Sequence, residues 1–162
     1  MTDVTPFLWF DDSAEAAIDF YTALIPGSEL VSIGRYPDEV PGMGGKVMHA
    51  HFRLAGRDYY AMDAGPQFPF TEAVSLFVSC ADQAEVDRYW DALIAGGGEP
   101  SVCGWLKDRF GVSWQVVPRQ LPEMLQSPDR EAAGRAMEAM LKMTKIEVKD
   151  LEEAFNAVPA GR

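Results

Sequence analysis

The chain has 162 residues, of which 48% are hydrophobic, and its 25 acidic residues outnumber its 14 basic residues. This length fits one domain or two similar halves around a sizeable core. The formal net charge of −11 excludes the basic surface that nucleic acids and anionic membranes attract, so we expect neither as a partner.

The sequence also indicates the cellular compartment of the protein. It has two cysteines, too few for a disulfide framework. It shows no signal-peptide pattern at its start and no apolar run of about 18 residues. We therefore expect a soluble protein of the reducing cytoplasm.

The first half of the chain predicts one strand, one helix and three further strands. The aromatic segment 5–10 predicts a strand, and Ser13 is expected to cap a helix that continues to Ile25. Pro26 and Gly27 are expected to end that helix. Strands at 29–36, 46–54 and 58–64 follow, and a Gly/Pro-rich loop at 37–45 separates the first two of them.

The strand at 46–54 has the clearest alternation in the chain. Apolar residues that begin with Met48 alternate with polar residues that include both histidines, His49 and His51. The histidines are therefore expected to share one face of the sheet. There they could chelate a metal, supply a base or a hydrogen bond, or simply line a polar pocket or a dimer contact.

The second half repeats the first. Residues 20–27 (Phe-Tyr-Thr-Ala-Leu-Ile-Pro-Gly) reappear as residues 89–96 (Tyr-Trp-Asp-Ala-Leu-Ile-Ala-Gly). Around the second copy we predict a strand at 74–80, a helix capped by Asp82 and short strands at 99–103, 105–108 and 112–117. The sequence thus predicts an α+β protein with two tandem βαβββ modules, residues 1–68 and 69–118.

Residues 119–162 differ from the modules and predict a helical extension. Helices are expected at 121–126, after Pro128 and Asp129, and at 146–155. Four methionines at helical spacing are expected to pack on the sheet or across a subunit interface. Residues 157–162 are expected to fray.

Five segments carry a family resemblance: residues 6–11 (Pro-Phe-Leu-Trp-Phe-Asp), residues 17–21 (Ala-Ile-Asp-Phe-Tyr), residues 65–66 (Gly-Pro), residues 86–90 (Val-Asp-Arg-Tyr-Trp) and the long run 103–118 that begins Cys-Gly-Trp-Leu-Lys-Asp. They resemble the PhnB-like branch of the vicinal oxygen chelate superfamily, which includes glyoxalase I, bleomycin-resistance proteins and extradiol dioxygenases. Residues 139–146 look similar to that branch too. The resemblance implies one glyoxalase-like domain over residues 1–118, with curved mixed sheets, helices on their convex side and a homodimer as the assembly.

Part of this branch is named after 3-demethylubiquinone-9 3-methyltransferase. A methyltransferase that uses S-adenosylmethionine would be expected to show a Gly-rich turn between a strand and a helix. The Gly-rich segments at 42–45 and 96–98 do not have that context. We therefore do not expect methyl transfer.

Metal-using members of the superfamily hold a divalent ion with one side chain from each of the first, fourth, fifth and eighth strands. The repeat places these positions at Thr5, at Met62 or Asp63, at Ser75 and at Gln115. Hydroxyls and an amide, with at most one carboxylate, bind first-row metals weakly. We therefore expect no metal and no cofactor, and a pocket that binds a small organic ligand by hydrogen bonds.

Aromatic residues are expected to complete the pocket. Alternation places Phe7 and Trp9 on the face of Thr5, and Phe77 on the face of Ser75. The predicted ligand-binding residues are Thr5, Phe7, Trp9, His49, His51, Asp63, Ser75, Phe77, Trp105 and Gln115.

Other candidates have a structural explanation. Cys103 could act as a nucleophile only if a neighbouring cation lowered its pKa, and a half-buried structural position is expected instead. Cys80, Trp90 and Trp114 are expected in the core. Residues 107–109 (Lys-Asp-Arg) are expected to form a solvated hairpin tip or a gate over the pocket.

Three functions stay open at this stage. The leading hypothesis is a dimeric small-molecule-binding protein without the usual metal. The second is a superfamily enzyme that acts on an oxygen-rich substrate through a metal held by His49, His51 and Asp63. The third is a structural or sequestering dimer whose cavity is filled by side chains.

Overall fold

The first unit of the chain, residues 1–70, is a four-stranded mixed sheet with one helix. Its elements are β1 (Phe7–Phe10), α1 (Ala14–Leu24), β2 (Glu29–Arg35), β3 (Val47–Leu54) and β4 (Arg57–Asp63). The strand order is β1-β4-β3-β2, in which β1 runs parallel to β4 and the other neighbours are antiparallel. The computed structural model describes residues 2–158.

The second unit, residues 71–162, repeats this topology and adds three helices. Its elements are β5 (Ser75–Cys80), α2 (Gln83–Ile94), β6 (Glu99–Pro100), β7 (Trp105–Lys107), β8 (Ser113–Pro118), α3 (Gln120–Leu125), α4 (Arg130–Met140) and α5 (Val148–Asn156). The strand order is β5-β8-β7-β6, again with one parallel pair, β5 with β8. The predicted α+β fold of two tandem βαβββ modules is confirmed. Within the expected frayed end, residues 159–162 lie outside the described residues.

Each helix packs its apolar stripe on one face of its own sheet. In α1 the buried residues are Ala14, Ala17, Ile18 and Tyr21. In α2 they are Val86, Tyr89, Trp90 and Leu93. Full burial of a large apolar side chain stabilises the fold by about 1.5–3 kcal/mol, so these stripes hold the helices in place. No helix within residues 2–158 is long and apolar enough to cross a membrane.

The helix starts show where local prediction succeeds and where it fails. Asp82 caps α2 as predicted, since its Oδ1 accepts a hydrogen bond from the backbone N–H of Glu85 at 3.0 Å. Ser13 stands at the N-cap position of α1 but makes no side-chain capping bond. A residue from β4, Asp63, caps that helix instead.

A register shift changes the face on which Met48 lies. Gly34 pairs with His49 and Arg35 pairs with Val47, so Met48 has no partner on β2. Consequently Val47 is buried on the helix side and Met48 is exposed. The prediction that Met48 shares the apolar face is wrong, because an extra residue in one strand reverses the alternation beyond it.

The extension is anchored to the second module through the turn before β7. The backbone N–H groups of Cys103 and Gly104 donate to the carbonyl oxygens of Met143 and Thr144, both at 2.8 Å. Both turn residues have positive φ, 57° at Cys103 and 81° at Gly104. This conformation points two successive N–H groups at the extension and fixes its path.

Val117 in β8, Leu121, Ile146 and Leu151 form a buried apolar cluster between the module and its extension. The side chain of Gln83, on the first turn of α2, adds hydrogen bonds to the carbonyl oxygen of Ile146 and the N–H of Val148. The extension therefore shares an apolar cluster and hydrogen bonds with the second module.

Replacement of Gly104 by Ala should destabilise the protein by about 2–3 kcal/mol, because L side chains disfavour this φ. The added Cβ would also lie 2.8 Å from the carbonyl oxygen of Val116. Urea denaturation measures the effect. Gly134→Ala is the matched control, since Gly134 lies inside α4 with open space around it. It should stabilise the protein by about 0.5–1 kcal/mol. Equal effects at the two positions would contradict this account of the turn.

Candidate functional site

Alternation gives each sheet a face covered by its helix and a face directed away from it. In the first sheet Leu8, Phe10, Ala50, Phe52 and Ala61 are buried on the helix side. We call the opposite side the first open face, which carries Phe7, Trp9, His49, His51 and Tyr60. The second open face is the corresponding side of the second sheet and carries Ser75, Phe77, Trp105, Ser113 and Gln115.

Three predicted site residues meet on the first open face around Tyr60. Phe7 pairs in register with Tyr60, and Tyr60 pairs with His51. The ring centroids of His49 and His51 each lie 5.0 Å from that of Tyr60. Phe7 is 48% exposed, although the centroid of its ring lies 5.9 Å from that of His49. Sequence reasoning missed Tyr60, which its pairing with Phe7 places at the centre of this face.

Trp9 is held in a fixed orientation on the same face. Its indole Nε1–H donates to the carbonyl oxygen of Gly65 at 2.8 Å. Its ring meets Phe68 edge to face, with 4.9 Å between centroids. Thr5 precedes β1 and is half-buried.

A charged network borders this aromatic group. His51 Nε2 and Arg53 Nε lie 2.7 and 2.9 Å from Asp58 Oδ1, and Arg53 also pairs with Glu29. The hydrogen bond from His51 and then that from Arg53 hold the pKa of the Asp58 carboxyl below its usual value. Asp58 thus orients the His51 ring, and Nε2 is engaged with a carboxylate. A metal bound at Nε2 would have to break this contact.

Asp63 is not on an open face. It is 4% exposed on the helix side, and its Oδ1 and Oδ2 accept hydrogen bonds from the backbone N–H groups of Ala14 and Val47 at 2.9 and 3.1 Å. The first bond caps α1 and the second closes the shifted end of β3. The expected place of Asp63 in the pocket is therefore corrected: the carboxylate serves the fold, and its neighbour Met62 pairs with Trp9 on the other side.

The second open face brings together four predicted residues. They belong to two adjacent rows of residues that pair across β5, β8 and β7. Phe77 pairs with Gln115, and Gln115 pairs with Trp105. Gln115 Nε2 donates to Ser75 Oγ at 2.9 Å. Phe77 is 57% exposed, more than Phe7 on the other sheet.

The neighbouring row on this face contains residues that sequence reasoning missed. Ser75 pairs with Ser113, which pairs with Lys107. Counting two residues back from Gln115 would have found Ser113, and two residues on from Trp105 would have found Lys107. A cavity of about 440 Å³ opens beside this row.

Asp108 is a second buried carboxylate, and it corrects the expected solvated hairpin tip. It is 3% exposed. Its oxygens accept hydrogen bonds from the N–H groups of Phe110 and Val112 and from the indole Nε1–H of Trp114, at 2.8, 3.1 and 2.8 Å. Asp108 therefore shapes the turn before β8, and the expected core position of Trp114 is confirmed.

A family model described as 3-demethylubiquinone-9 3-methyltransferase matches residues 2–117. This chain belongs to that family, the PhnB-like branch of the vicinal oxygen chelate superfamily. The match ends before the extension, so the resemblance of residues 139–146 to this branch stays a prediction.

Two solved structures of similar proteins agree with this assignment. A PhnB protein from Bacillus cereus, named as a candidate 3-demethylubiquinone-9 3-methyltransferase, is 39% identical, with a TM-score of 0.67. That match covers 72% of this chain and 99% of the other. Protein PA1353 from Pseudomonas aeruginosa is 25% identical, with a TM-score of 0.59, over 73% of this chain and 98% of its own. No curated protein matches this chain.

The sheet registers locate the superfamily's metal positions in this PhnB-like protein. Phe7 and Phe77 are each the fourth residue from the end of the first strand of their module, and they pair with Tyr60 and Gln115. Tyr60 is therefore the counterpart of Gln115, instead of Met62 or Asp63. With this change, the superfamily's four metal positions are occupied in this chain by Thr5, Tyr60, Ser75 and Gln115.

This set of side chains does not fit a first-row metal. It contains no imidazole, carboxylate or thiolate, which are the groups that such ions prefer. Gln115 and Ser75 also hydrogen-bond each other. Within the part of the chain that the structure describes, no three His, Cys, Asp or Glu side chains are grouped to hold an ion.

The two cysteines differ in environment. Cys80 is fully buried, as expected, and burial raises the pKa of its thiol to about 12. Cys103 is half-buried. Lys107, a cation that could have activated it, instead pairs with Glu72 at 2.6 Å.

The structural role of the buried Asp63 carboxylate can be tested by Asp63→Asn. The amide can accept only one of the two backbone hydrogen bonds and turns an N–H towards the other donor. We expect a loss of about 2–3 kcal/mol in the free energy of unfolding. The control is Asp12→Asn, which removes an exposed ion pair with Lys46 and should change stability by about 0.5 kcal/mol or less. An equally small effect at Asp63 would contradict the structural role.

Thiol titration with a disulfide reagent at pH 8 tests the cysteines. Because the thiolate is the reactive form, a pKa of about 12 leaves on the order of one Cys80 thiol in ten thousand reactive at this pH. The folded protein should release one equivalent of chromophore per chain, and the denatured protein two. Cys103→Ser should abolish the reaction of the folded protein. Persistence of that reaction in the variant would contradict the assignment.

Proposed function

We propose that this PhnB-like protein binds a small organic molecule on the open faces of its sheets, without a catalytic metal. The observation that carries the proposal is the exposure of Phe7 and Phe77, which lie on the edge strands β1 and β5 of these faces. Burial of such a ring would stabilise the fold by about 1.5–3 kcal/mol. Rings held exposed among polar groups are typical of a binding surface.

Polar groups beside these rings support the choice of an organic ligand. The rings of His49 and Tyr60 flank Phe7, and Gln115, which hydrogen-bonds Ser75, pairs with Phe77. Hydroxyl, imidazole and amide groups can both donate and accept hydrogen bonds. An aromatic ring next to such groups suits a ligand with a planar body and oxygen or nitrogen substituents.

The metal-dependent enzyme is the second candidate. It would need His49 and His51 to bind one ion together with Asp63. Asp63 is turned to the helix side, where both its oxygens accept backbone hydrogen bonds. His51 Nε2 is engaged with Asp58. These contacts favour the metal-free hypothesis.

Methyl transfer, which the family name suggests, has less support in this chain. The three connections from a strand to a helix in the described residues, 11–13, 81–82 and 119, contain no glycine. The Gly-rich segment 42–45 joins β2 to β3. No described part of the chain thus offers the Gly-rich turn expected for S-adenosylmethionine.

We also propose that the protein is a homodimer in the cytoplasm. Exposed apolar side chains on both open faces, Phe7 and Phe77 among them, give a second copy a surface to cover. The third hypothesis, a structural or sequestering dimer, also has two copies. It differs from the ligand-binding hypothesis because side chains such as Phe7 and Phe77 would fill the cavity and leave no room for a ligand. Both cysteines are free, which suits a reducing compartment.

Thermal unfolding with a library of small aromatic and oxygen-rich molecules tests ligand binding. A ligand at 100 times its Kd should add about 2.7 kcal/mol to the free energy of unfolding and raise Tm. Phe77→Ala should remove most of this rise while shifting the Tm of the free protein by about 2 °C or less, because its ring is exposed. Treatment with a chelator should leave the response unchanged.

Leu141→Ala, an equally exposed position on the extension, is the control and should respond as the wild type does. A rise that needs a divalent ion would favour the metal-dependent enzyme. Equal responses of Phe77→Ala and wild type would place the ligand away from the second open face.

A further inference from the structure

The cavity of about 440 Å³ on the second open face contains groups that ligand-free packing does not explain. It lies at the edge formed by β6 and β7. The residues that matter in its lining are Glu72, Glu99, Val102, Trp105, Lys107 and Ser113. The register places Ser113 opposite Lys107, and Lys107 opposite Glu99, in one row across three strands.

Ser113 is the first unexplained group. The residue is 1% exposed, and its Oγ has no hydrogen-bond partner. A buried hydroxyl without a partner destabilises a fold, so such groups are rare and call for an explanation. At the wall of a cavity, the explanation is a ligand whose polar atom completes the hydrogen bond after the hydroxyl rotates.

The charges around the cavity are the second observation. Lys107 Nζ lies 2.6 Å from Glu72 Oε1, and Glu99 stands on its other side. The hydrogen bond to Glu72 is the largest cause that raises the pKa of Lys107, and the negative charges of Glu72 and Glu99 add to it. The ammonium of Lys107 is therefore charged at neutral pH. One ammonium therefore faces two carboxylates, and the rim carries an excess negative charge.

The apolar walls of the cavity are the third observation. Val102 is 61% exposed, and the indole of Trp105 is half-buried beside it. An indole face attracts flat rings and cations. A ligand that stacks on Trp105 would reach Ser113 in one direction and the carboxylates of the rim in the other.

We propose that this cavity binds a small organic cation. Its flat apolar body packs on Trp105 and Val102, its protonated amine pairs with Glu72 and Glu99, and a polar atom hydrogen-bonds Ser113 Oγ. The assignment rests on the proposed function, since it names the ligand class of the second open face.

Three probes of one shape and different charge test the class: tryptamine, indole-3-acetamide and indole-3-acetate. Calorimetry and amide chemical-shift mapping use the full chain at pH 7. Tryptamine should bind about tenfold more tightly than indole-3-acetate, with the neutral amide between them. The shifts should centre on Val102, Trp105, Lys107 and Ser113.

Two variants separate the contributions. Glu99→Gln should weaken tryptamine about three- to fivefold and leave indole-3-acetamide unchanged. Ser113→Ala should weaken tryptamine about three- to tenfold, yet leave Tm unchanged or raised because an unsatisfied hydroxyl is gone. Glu152→Gln on α5 and Ser13→Ala before α1, both outside the second open face, are the controls and should bind as the wild type does.

Each contrary result has a distinct meaning. Binding of indole-3-acetate at least as tight as tryptamine would overturn the cation class but leave small-molecule binding intact. Shifts confined to the first open face would overturn the cavity assignment alone. Absence of binding by all three probes at millimolar concentration would overturn this inference, while the library screen still decides the proposed function. Unchanged affinity in Ser113→Ala would overturn the role of that hydroxyl.

Discussion

The carboxylate of Asp63 determines which side of the first sheet is available for binding. Its two oxygens hold the first N–H of α1 and the N–H of Val47, so one buried group joins a helix start, the end of β4 and the shifted end of β3. A buried carboxylate is tolerated only when its hydrogen bonds are made, which ties these three elements together. With the helix side thus fixed, the aromatic and histidine side chains are left on the other side of the sheet.

The second unit has the same strand order and helix position as the first, but its helix cap and its buried carboxylate are arranged differently. Its helix α2 is capped locally by Asp82, and its buried carboxylate, Asp108, shapes the turn before β8 and holds the indole of Trp114. The open faces differ as well. The first is aromatic with a charged border, and the second is a polar row beside an aromatic row. A duplicated fold thus presents two unlike surfaces, and neither has a set of metal-binding side chains at the superfamily's positions.

The sequence predicts the elements well because burial periodicity decides them. Both helices, all eight strands and the three helices of the extension follow from apolar spacing and from Pro and Gly. Met48 was misplaced because a register shift depends on the partner strand. Asp63 and Asp108 were misread because their hydrogen bonds reach residues 49 and 6 positions away. Phe7, Trp9, Phe77 and Gln115 could be placed by alternation, and Ser113 could have been, whereas Tyr60 required the strand pairing. The missing hydrogen-bond partner of Ser113 is visible only in the structure.

We propose that the superfamily's metal positions in this chain serve as hydrogen-bonding positions for an organic ligand. The most direct measurement is a high-resolution crystal structure with anomalous data, from protein grown with a ligand from the screen and with added Mn²⁺ and Zn²⁺. We predict density for the organic molecule in contact with Gln115 or Tyr60, and no anomalous peak within about 2.6 Å of either side chain. An anomalous peak about 2.0–2.6 Å from two or more of Thr5, Tyr60, Ser75 and Gln115 would contradict the claim.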